Sequence, residues 1–321
     1  MDGNLRIATT AWLLDSKGRG QSLVEQAETA EQLGYHSFWL PESHFSGSAS
    51  IPAPLMSLAA VAARTSRIRL GSTSYLLPIR HPLQAAEEVA VLDRLSNGRV
   101  ILGIGRGFRN ALFTAFDVPV AEKRKRFAAA LQTMLSAWSG ATIAFEEGPE
   151  GNQQPVYLGP LPVQQPHPPI WVAAFGPLAI KQAATLGLPY LASPMETESV
   201  LLDNYRRHRE IADKAGHEPI TTVPVMRTLF ASRDSNLIER VRDSLVEQGR
   251  GVLRRGTEVG IEEWALVGDP HYVEDRISHY RELLSMTHLI ARGRIPGVSE
   301  SEQRLSMELL AEMNGSEAED H

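Results

Sequence analysis

One complete strand, crossover helix and second strand can be read in residues 68–107, and this unit constrains the fold more than any other segment. Residues 68–77 are rich in apolar and β-forming side chains, and prolines end the run. In residues 85–95 apolar side chains recur at three- and four-residue steps, which predicts a helix that Asn97-Gly98 ends. Residues 99–104 form a second apolar run. The segment therefore predicts a parallel, right-handed βαβ unit.

The rest of the chain repeats this alternation. The predicted strands cover residues 5–14, 36–40, 68–77, 99–104, 170–174, 190–192, 221–231 and 288–291. Helical sequence follows each of them, and the last predicted helix covers residues 301–313. Eight parallel strands that alternate with helices predict a closed (β/α)₈ TIM barrel. An open doubly wound sheet is the alternative, but it normally has fewer strands and a phosphate motif at the first turn.

Length and composition fit one soluble enzyme-sized domain. We predict a single domain over residues 1–313, an irregular proline- and glycine-rich excursion at about residues 141–169 before the fifth strand, and an acidic tail at residues 314–321. The chain has no cysteine, which excludes disulfides and thiolate catalysis, and its net charge is −6. There is no basic face for nucleic acid, no signal-peptide pattern and no long apolar run for a membrane. A cytoplasmic protein is the default expectation.

Candidate functional residues lie where the predicted strands end, because catalytic groups of such barrels occupy that edge. These residues are Trp12, Glu42, His44, Thr73, Ser74, Arg106, Gly176, Ser193, Arg227 and Arg292. Three arginines, Arg106, Arg227 and Arg292, are expected to converge on one mouth, which favours an anionic ligand such as a phosphate. We favour Arg106 because three glycines lie within residues 103–107. The alternative is that each arginine pairs with a carboxylate or covers a strand end.

Two further patterns bear on chemistry. Gly176-Pro177 begins a helix after the fifth strand, so the free N–H groups at the start of this helix are a second candidate for anion binding. The alternative is that glycine and proline merely form an ordinary loop there. Glu42 and His44 are two residues apart, and general acid–base chemistry by His44 suits them better than a metal site, because no further carboxylate or histidine cluster accompanies them. A histidine that only bonds the loop backbone is the alternative reading. No lysine ends the sixth strand, which disfavours a class I aldolase.

Several segments of the sequence match a known family. They are AEQLGYHSFWLPESHF, IRLGSTSYLLPIRHPLQAAEEVAVLDRLSNGRVILGIGRGF, PLPVQQPHPPIWVAAFGPLAIKQAATLGLPY, VGDPHYVEDRI and HLIARGRIPG. The chain resembles the bacterial luciferase-like flavin monooxygenases, also called luciferase-like F420/FMN oxidoreductases, from near Leu5 to about Gly297. The resemblance implies a (β/α)₈ barrel that binds a flavin or deazaflavin at its C-terminal mouth, with an excursion before the fifth strand.

The resemblance also implies cofactor-binding residues. By position, Arg106 contacts the FMN phosphate, and Phe108 lies nearby. A loop made by Gly176, Leu178 and Ala179 binds phosphate through backbone donors. Thr73-Ser74 matches a non-prolyl cis peptide bond beneath the flavin ring.

The catalytic loop departs from the family pattern at one position. His44 matches the second histidine of the frequent Glu-His-His triplet that begins at Glu42. Ser43 replaces the first histidine, which is the better-known catalytic residue in luciferase. This departure counts against luciferase-type aldehyde oxidation.

The resemblance implies a flavin-dependent monooxygenase or oxidoreductase that uses reduced FMN on a small organic substrate. A separate reductase is expected to supply the reduced FMN, because residues 103–108 lack the third glycine of the dinucleotide fingerprint and no other such turn exists. An F420-dependent hydride-transfer oxidoreductase and a non-catalytic flavin-binding protein are the alternatives. A homodimer is expected from the family and from the helical outer ring.

Overall fold

The computed structural model describes residues 5–13, 20–143, 155–252 and 259–319. The chain folds into two compact units, which are described separately. Unit 1 combines Met1–Trp39 with Trp171–His321, and unit 2 is Leu40–Ile170. Parts of the predicted first strand, excursion, helix after the seventh strand and tail lie outside the described residues, namely residues 14, 144–154, 253–254 and 320–321. The domain limits of 1–313 and 314–321 stay a prediction.

The strands in the described residues are numbered in chain order. They are β1 (Arg6–Thr10), β2 (Ser37–Leu40), β3 (Arg69–Ser72), β4 (Tyr75–Leu76), β5 (Val100–Gly105), β6 (Ile170–Ala173), β7 (Tyr190–Leu191), β8 (Pro224–Ala231), β9 (Ala265–Gly268) and β10 (His288–Arg292). The α-helices are α1 (Gly20–Gln32), α2 (Pro54–Ala62), α3 (Pro82–Leu95), α4 (Asn110–Ala115), α5 (Lys123–Trp138), α6 (Pro177–Thr185), α7 (Glu198–Lys214), α8 (Ser235–Val252), α9 (Pro270–Leu284) and α10 (Glu300–Glu319). Short 3₁₀ helices cover Gly47–Ala49, Leu77–Ile79, Val120–Glu122 and Ile261–Glu263.

Unit 1 contains a parallel sheet in which β1 lies between β2 and β10. Thr9 pairs with Phe38 on one side and with Ala291 on the other. On the far side of β10 the order continues with β8 and then β9, and both of these pairings are also parallel. Because the strands run in one direction, their C-terminal ends lie along one edge. Trp12 and Arg292 therefore lie at neighbouring strand ends.

Unit 2 is organised around β5, whose six residues are all buried. This strand pairs in parallel with β3 and, further along, with β4. Helix α3 makes the crossover, and Asn97 and Gly98 after it have φ values of 56° and 78°. Both residues thus adopt the left-handed conformation that the sequence predicted for the end of this helix.

The predicted strand over residues 68–77 is wrong as a single element. It is divided into β3 and β4 by Thr73 and Ser74, and the peptide bond between these two residues is cis, as predicted. The interruption coincides with a close approach to β5. A Cβ atom added to Gly105 would lie 2.0 Å from Ser74 Oγ. The side chain of Ser74 therefore occupies the space beside β5.

Two elements were missed by the sequence reading, and one helix is longer than expected. Helix α4 and strand β9 lie where no helix or strand is predicted. With β9 and the division of residues 68–77 into two strands, the described residues hold more strands than the predicted eight, although a strand lies at each predicted position. Strand β9 has only four residues, and its pairing with β8 and its packing in a core with Phe230, Leu245 and Trp264 are tertiary contacts. Helix α10 runs to Glu319 rather than ending at Met313. Closure into an eight-stranded barrel stays a prediction.

The described end of the excursion is fixed to α3 by a buried carboxylate. Asp93 is fully buried and accepts hydrogen bonds from the backbone N and from Nε2 of Gln164, at 2.9 and 2.7 Å. Gln164 in turn accepts from Arg69 at 2.8 Å. Ile143 and Val156 form one antiparallel bridge within the predicted excursion. Among the helices of the described residues, each is too short or too polar to serve as a membrane-spanning segment.

Candidate functional site

Glu42 follows β2 and is the best-connected carboxylate of unit 2. Its side chain is fully buried. Oε2 accepts a hydrogen bond from the N–H of Leu76 at 2.9 Å, and Oε1 lies 2.8 Å from Nη1 of Arg80. Oε1 also lies 2.7 Å from Nε2 of His44. Three donors thus satisfy the carboxylate, which makes it a fixed anion that orients the imidazole of His44.

The imidazole of His44 lies between this carboxylate and two aromatic rings. Phe116 packs edge-on at 5.1 Å between centroids, and Phe45 packs at 5.8 Å. With the Nε2 proton donated to Glu42, Nδ1 is the remaining ring nitrogen, and it makes no hydrogen bond to any described residue. The alternative that this histidine merely bonds the loop backbone does not hold for its ring nitrogens. The geometry suits proton transfer at Nδ1.

Ser43, which stands where the family commonly has histidine, ties its loop together. Its N–H donates to the carbonyl of Ile51 at 3.0 Å, and its Oγ accepts from the N–H of Ile51 at 2.9 Å. The serine side chain is thus committed to a local backbone contact. Among the described contacts it has no partner that would give it a role in proton transfer.

The sequence reading missed Arg80 and Glu88, which support the Glu42 pair from the next segment. The guanidinium carbon of Arg80 lies 3.9 Å from the ring centroid of Tyr75, and Nη1 donates to the carbonyl of Leu76 at 2.8 Å. The hydroxyl of Tyr75 donates to Glu88 at 2.6 Å. Burial raises the pKa of Tyr75, so the phenol stays protonated. No local sequence signal marks Arg80, because its partners come together only in the fold.

Thr73 and Ser74 lie between the segments that carry the other predicted residues of unit 2. The N–H of Thr73 donates to the carbonyl of Leu40 at 2.9 Å, two residues before Glu42. Ser74 lies against Gly105, the residue that precedes Arg106. The fold therefore brings the ends of β2, β3 and β5 together, as the barrel prediction requires of consecutive strand ends.

Arg106 extends from the end of β5 and is partly buried. Among the described residues it makes no hydrogen bond and no ion pair. Burial lowers the pKa of Arg106, and the nearby positive charge of Arg124 lowers it further. Arg124, in the first turn of α5, was missed by the sequence reading because its proximity to Arg106 is tertiary. Two cations close to each other, one of them without an acid partner, are an arrangement that a bound anion would stabilise.

The neighbours of Arg106 shape the loop around it. Gly107 has a φ of 72°, a left-handed conformation that a side chain would disfavour. Phe108 is 79% exposed, and the guanidinium carbon of Arg109 lies 5.8 Å from the centroid of its ring. The predicted roles of Arg106 and Phe108 in cofactor binding stay predictions.

The second predicted anion site belongs to unit 1 and begins α6. Gly176 has a φ of 84° at the N-cap, and no side chain caps this helix. The N–H of Ala179 donates to the carbonyl of Gly176 at 3.1 Å, so the donors left to a ligand are those of Gly176 and Leu178. Leu178 is 60% exposed. The segment has the geometry of an anion site, and its role stays a prediction.

Arg227 does not belong to a mouth at the strand ends, which corrects the expectation that three arginines converge there. Its side chain is completely buried, and Nε donates to the hydroxyl of Tyr280 on α9 at 3.2 Å. The guanidinium carbon lies 5.1 Å from the centroid of the same ring. Arg227 therefore faces the helix layer, because side chains alternate between the two faces of a strand.

The model of the luciferase-like monooxygenase family matches residues 5–286. The chain belongs to this family. Over 178 residues it is 32% identical to the oxygenase component of the flavin-dependent trigonelline monooxygenase of Acinetobacter baylyi, a match that covers 54% of this chain and 48% of that protein. Two uncharacterized proteins from Sinorhizobium fredii are also similar to this chain. The matches cover 47% to 57% of the length of these two proteins and of the trigonelline enzyme, so the chain spans about half the length of these curated relatives.

Solved structures of other proteins share the fold over nearly the whole chain. The oxygenating constituent of 3,6-diketocamphane monooxygenase from Pseudomonas putida, solved with FMN, gives a TM-score of 0.79 at 19% identity and covers 97% of this chain and 98% of that one. The F420-dependent tetrahydromethanopterin reductase of Methanopyrus kandleri gives 0.73 at 18% identity, with the same coverage. The family is one of monooxygenases, and the trigonelline enzyme is a flavin-dependent member of that kind. The fold is shared by an FMN complex and by an F420-dependent protein.

Proposed function

We propose that this protein is a flavin-dependent monooxygenase that uses reduced FMN on a small organic substrate. The observation that carries the proposal is the partly buried Arg106, which lacks an acid partner among the described residues and lies beside Arg124. A terminal phosphate supplies negative charge opposite these two cations, and a planar guanidinium can donate two hydrogen bonds to two of its oxygens. The FMN complex of the Pseudomonas putida relative, which has the same fold, supports FMN as the source of that phosphate.

The chain's own residues would then divide the work of binding and proton transfer. Reduced FMN supplies the electrons for the reaction with oxygen when it is bound. Thr73 and Ser74 would support the ring system, and Arg106 would hold the phosphate. Glu42 fixes the Nε2 proton of His44, so that Nδ1 can accept or give a proton during turnover. This division follows the family resemblance and the contacts of unit 2.

The proposal is tested by titrating the purified protein with FMN and with F420 in separate experiments and following the absorbance of each cofactor. Binding of FMN supports the first reading. Binding of F420 alone favours the second candidate, an F420-dependent oxidoreductase, to which the structural similarity with the Methanopyrus kandleri reductase points. If neither cofactor binds, the proposed function is wrong. If FMN binds but reduced FMN and oxygen oxidise none of a panel of small carbonyl and aromatic compounds, a non-catalytic flavin-binding protein is the better description.

We further propose that a separate reductase supplies the reduced FMN. No turn in the sequence has the glycine pattern that would bind the pyrophosphate of a nicotinamide dinucleotide. The test is stopped-flow mixing of the FMN-loaded protein with NADH and with NADPH in the absence of any reductase. Flavin bleaching at the rate of turnover would show that the protein reduces its own cofactor and would end the two-component proposal.

A homodimer is also proposed. Helices α2 and α3 lie next to each other and expose apolar side chains of Met56, Val91 and Leu95. Such side chains on adjacent helices favour burial against a second copy. Sedimentation velocity at micromolar concentration tests this, and a single monomeric species would contradict it.

A further inference from the structure

Arg292 ends β10 in unit 1 and has no acid partner among the described residues. Its Nη1 lies 3.4 Å from Oγ1 of Thr228 and 3.8 Å from the sulfur of Met195. These are the hydrogen bonds of its side chain within the described residues, and neither partner carries a charge. Burial, together with the positive charge of Arg294, lowers the pKa of Arg292. A largely buried guanidinium without a counter-charge is costly unless a ligand supplies one.

The register of the sheet shows which way this side chain points. Arg292 pairs with Thr228, and Ala291 pairs with Arg227. Arg227 packs on Tyr280 of α9, so its face of the sheet is the one that helices cover. Because successive side chains alternate, Thr228 and Arg292 lie on the opposite face, away from α9. The guanidinium thus lies at the C-terminal end of β10, on the face of the sheet opposite α9, and ligands of (β/α)₈ folds bind at that end of the strands.

The residue after Arg292 packs against Trp12, whose side chain carries a second donor without a described partner. The N–H of Gly293 donates to Oγ1 of Thr10 at 3.0 Å, which joins the ends of β10 and β1. A Cβ atom at Gly293 would lie 2.8 Å from Cβ of Trp12, so the backbone next to Arg292 touches this tryptophan. Trp12 is only 8% exposed, and its indole Nε1 is buried without an acceptor among the described residues. Buried polar groups normally have a hydrogen-bond partner, so this N–H is available to donate to an acceptor on a ligand.

We infer that Arg292, with the indole N–H of Trp12, binds a carboxylate group of the substrate. A carboxylate offers two acceptor oxygens and one negative charge, which match one guanidinium and one neutral donor. The thioether of Met195 beside the guanidinium suits the apolar part of an organic acid. That the carboxylate belongs to the substrate rests on the proposed function. The existence of a carboxylate-binding site at Arg292 does not depend on the proposed function.

The test uses benzoate and its neutral analogue benzamide, titrated calorimetrically into the full-length protein without cofactor. Wild type is expected to bind benzoate about ten-fold more tightly than benzamide, the scale of one charge-assisted contact. Arg292→Gln should abolish this preference, and Arg292→Lys should keep part of it. The matched control is Arg294→Gln, which removes the same charge from the exposed residue two positions along and should keep the preference. Trp12→Phe keeps an aromatic ring, removes the N–H and should weaken benzoate alone.

Parallel titrations separate this site from the cofactor site. FMN should bind Arg292→Gln as it binds wild type, whereas Arg106→Ala should lose FMN affinity and keep the benzoate preference. Equal binding of benzoate and benzamide by wild type, an unchanged preference in Arg292→Gln with its native circular dichroism, or tighter binding of inorganic phosphate than of benzoate would each overturn the inference. A loss of FMN affinity in Arg292→Gln as large as that in Arg106→Ala would make Arg292 a cofactor contact instead. If wild type binds neither FMN nor F420, the proposed function fails while the benzoate preference still decides the site.

Discussion

Nε2 of His44 lies 2.7 Å from Oε1 of Glu42, and the same oxygen lies 2.8 Å from Nη1 of Arg80. The carboxylate side chain is fully buried, whereas those of the histidine and the arginine keep 9% and 18% of their accessible surface. One buried anion thus joins a candidate proton-transfer group to an arginine that stacks on Tyr75. The position of His44 therefore depends on residues that lie more than thirty positions along the chain.

The first prediction concerns this buried ion pair. Arg80→Met should lower the free energy of unfolding by about 3 to 5 kcal/mol, because it leaves a buried carboxylate without its cation. The double variant with Glu42→Gln should cost less than the sum of the two single changes, because the uncompensated charge is then absent. Urea unfolding followed by circular dichroism measures both.

A matched control for this prediction is Arg126→Met. Arg126 on α5 pairs at 2.9 Å with Glu122, which precedes the helix, and both side chains are about half exposed. Its loss should change stability by less than about 1 kcal/mol, as for other exposed ion pairs. Equal losses of unfolding free energy in Arg80→Met and Arg126→Met would show that the buried pair of Arg80 and Glu42 stabilises the protein no more than an exposed ion pair does.

The second prediction concerns Arg106 after β5 and Arg124 in the first turn of α5. Arg106→Ala should weaken FMN binding by about 1.5 to 3 kcal/mol, the scale of a hydrogen bond to a charged group. Arg124→Ala should weaken it less, because Arg124 is exposed and screened by solvent. Arg109→Ala is the control, since Arg109 is an exposed arginine of the same loop. Fluorescence quenching of FMN gives the affinities, and an unchanged value for Arg106→Ala would remove Arg106 from the site.

The third prediction concerns the contact between Ser74 and β5. Gly105→Ala should destabilise the protein by about 1 to 3 kcal/mol, as overpacking of a buried site does. The new Cβ would lie 2.0 Å from Oγ and 2.8 Å from Cβ of Ser74. In a Ser74→Ala background the nearer contact is gone, so the penalty for Gly105→Ala should shrink. Thermal unfolding of the four variants measures it, and equal penalties in both backgrounds would show that the hydroxyl of Ser74 does not limit the space beside Gly105.

The sequence predicted the strand positions well because runs of apolar residues alternate with helical periodicity along most of the chain. It missed β9 because four residues are too short for a periodic signal, and its identity as a strand comes from pairing with β8. The division of residues 68–77 was also invisible, since the residues on both sides of Thr73-Ser74 are equally β-forming. Local sequence patterns thus predicted the elements that have a periodic signal of their own, and missed those that are defined by tertiary contacts.

The candidate site was predictable in part for a similar reason. Glu42, His44 and Arg106 follow strands, so their place at strand ends could be read from the sequence. Arg227 was placed wrongly because all eight residues of β8 are buried, which leaves no alternation to tell the two faces apart. Arg124 could not be found, because its proximity to Arg106 exists only in the folded protein.

The fourth prediction concerns two glutamates, Glu196 and Glu302, whose pKa values are shifted in opposite directions in the folded protein. Burial raises the pKa of Glu196 above its ordinary value of 4.5, although Tyr190, Ser193 and Asn204 donate hydrogen bonds to it. The folded state therefore holds this proton more tightly than the unfolded state does. As the pH rises from about 4.5 through the raised value, wild type should lose stability relative to Glu196→Gln, which cannot ionise.

Glu302 provides the opposite sign and serves as the control. Its carboxylate accepts from the backbone N and the hydroxyl of Ser299, both at 2.8 Å, and also from Arg240, and these bonds lower the pKa of Glu302 to about 2. The stability that it contributes is present above pH 4.5 and is lost as the pH falls toward 2. Urea unfolding of wild type, Glu196→Gln and Glu302→Gln between about pH 3 and 8 should therefore give stability differences with opposite pH slopes. Parallel slopes would mean that burial does not favour the protonated form of Glu196, because both glutamates would then titrate as hydrogen-bonded surface carboxylates.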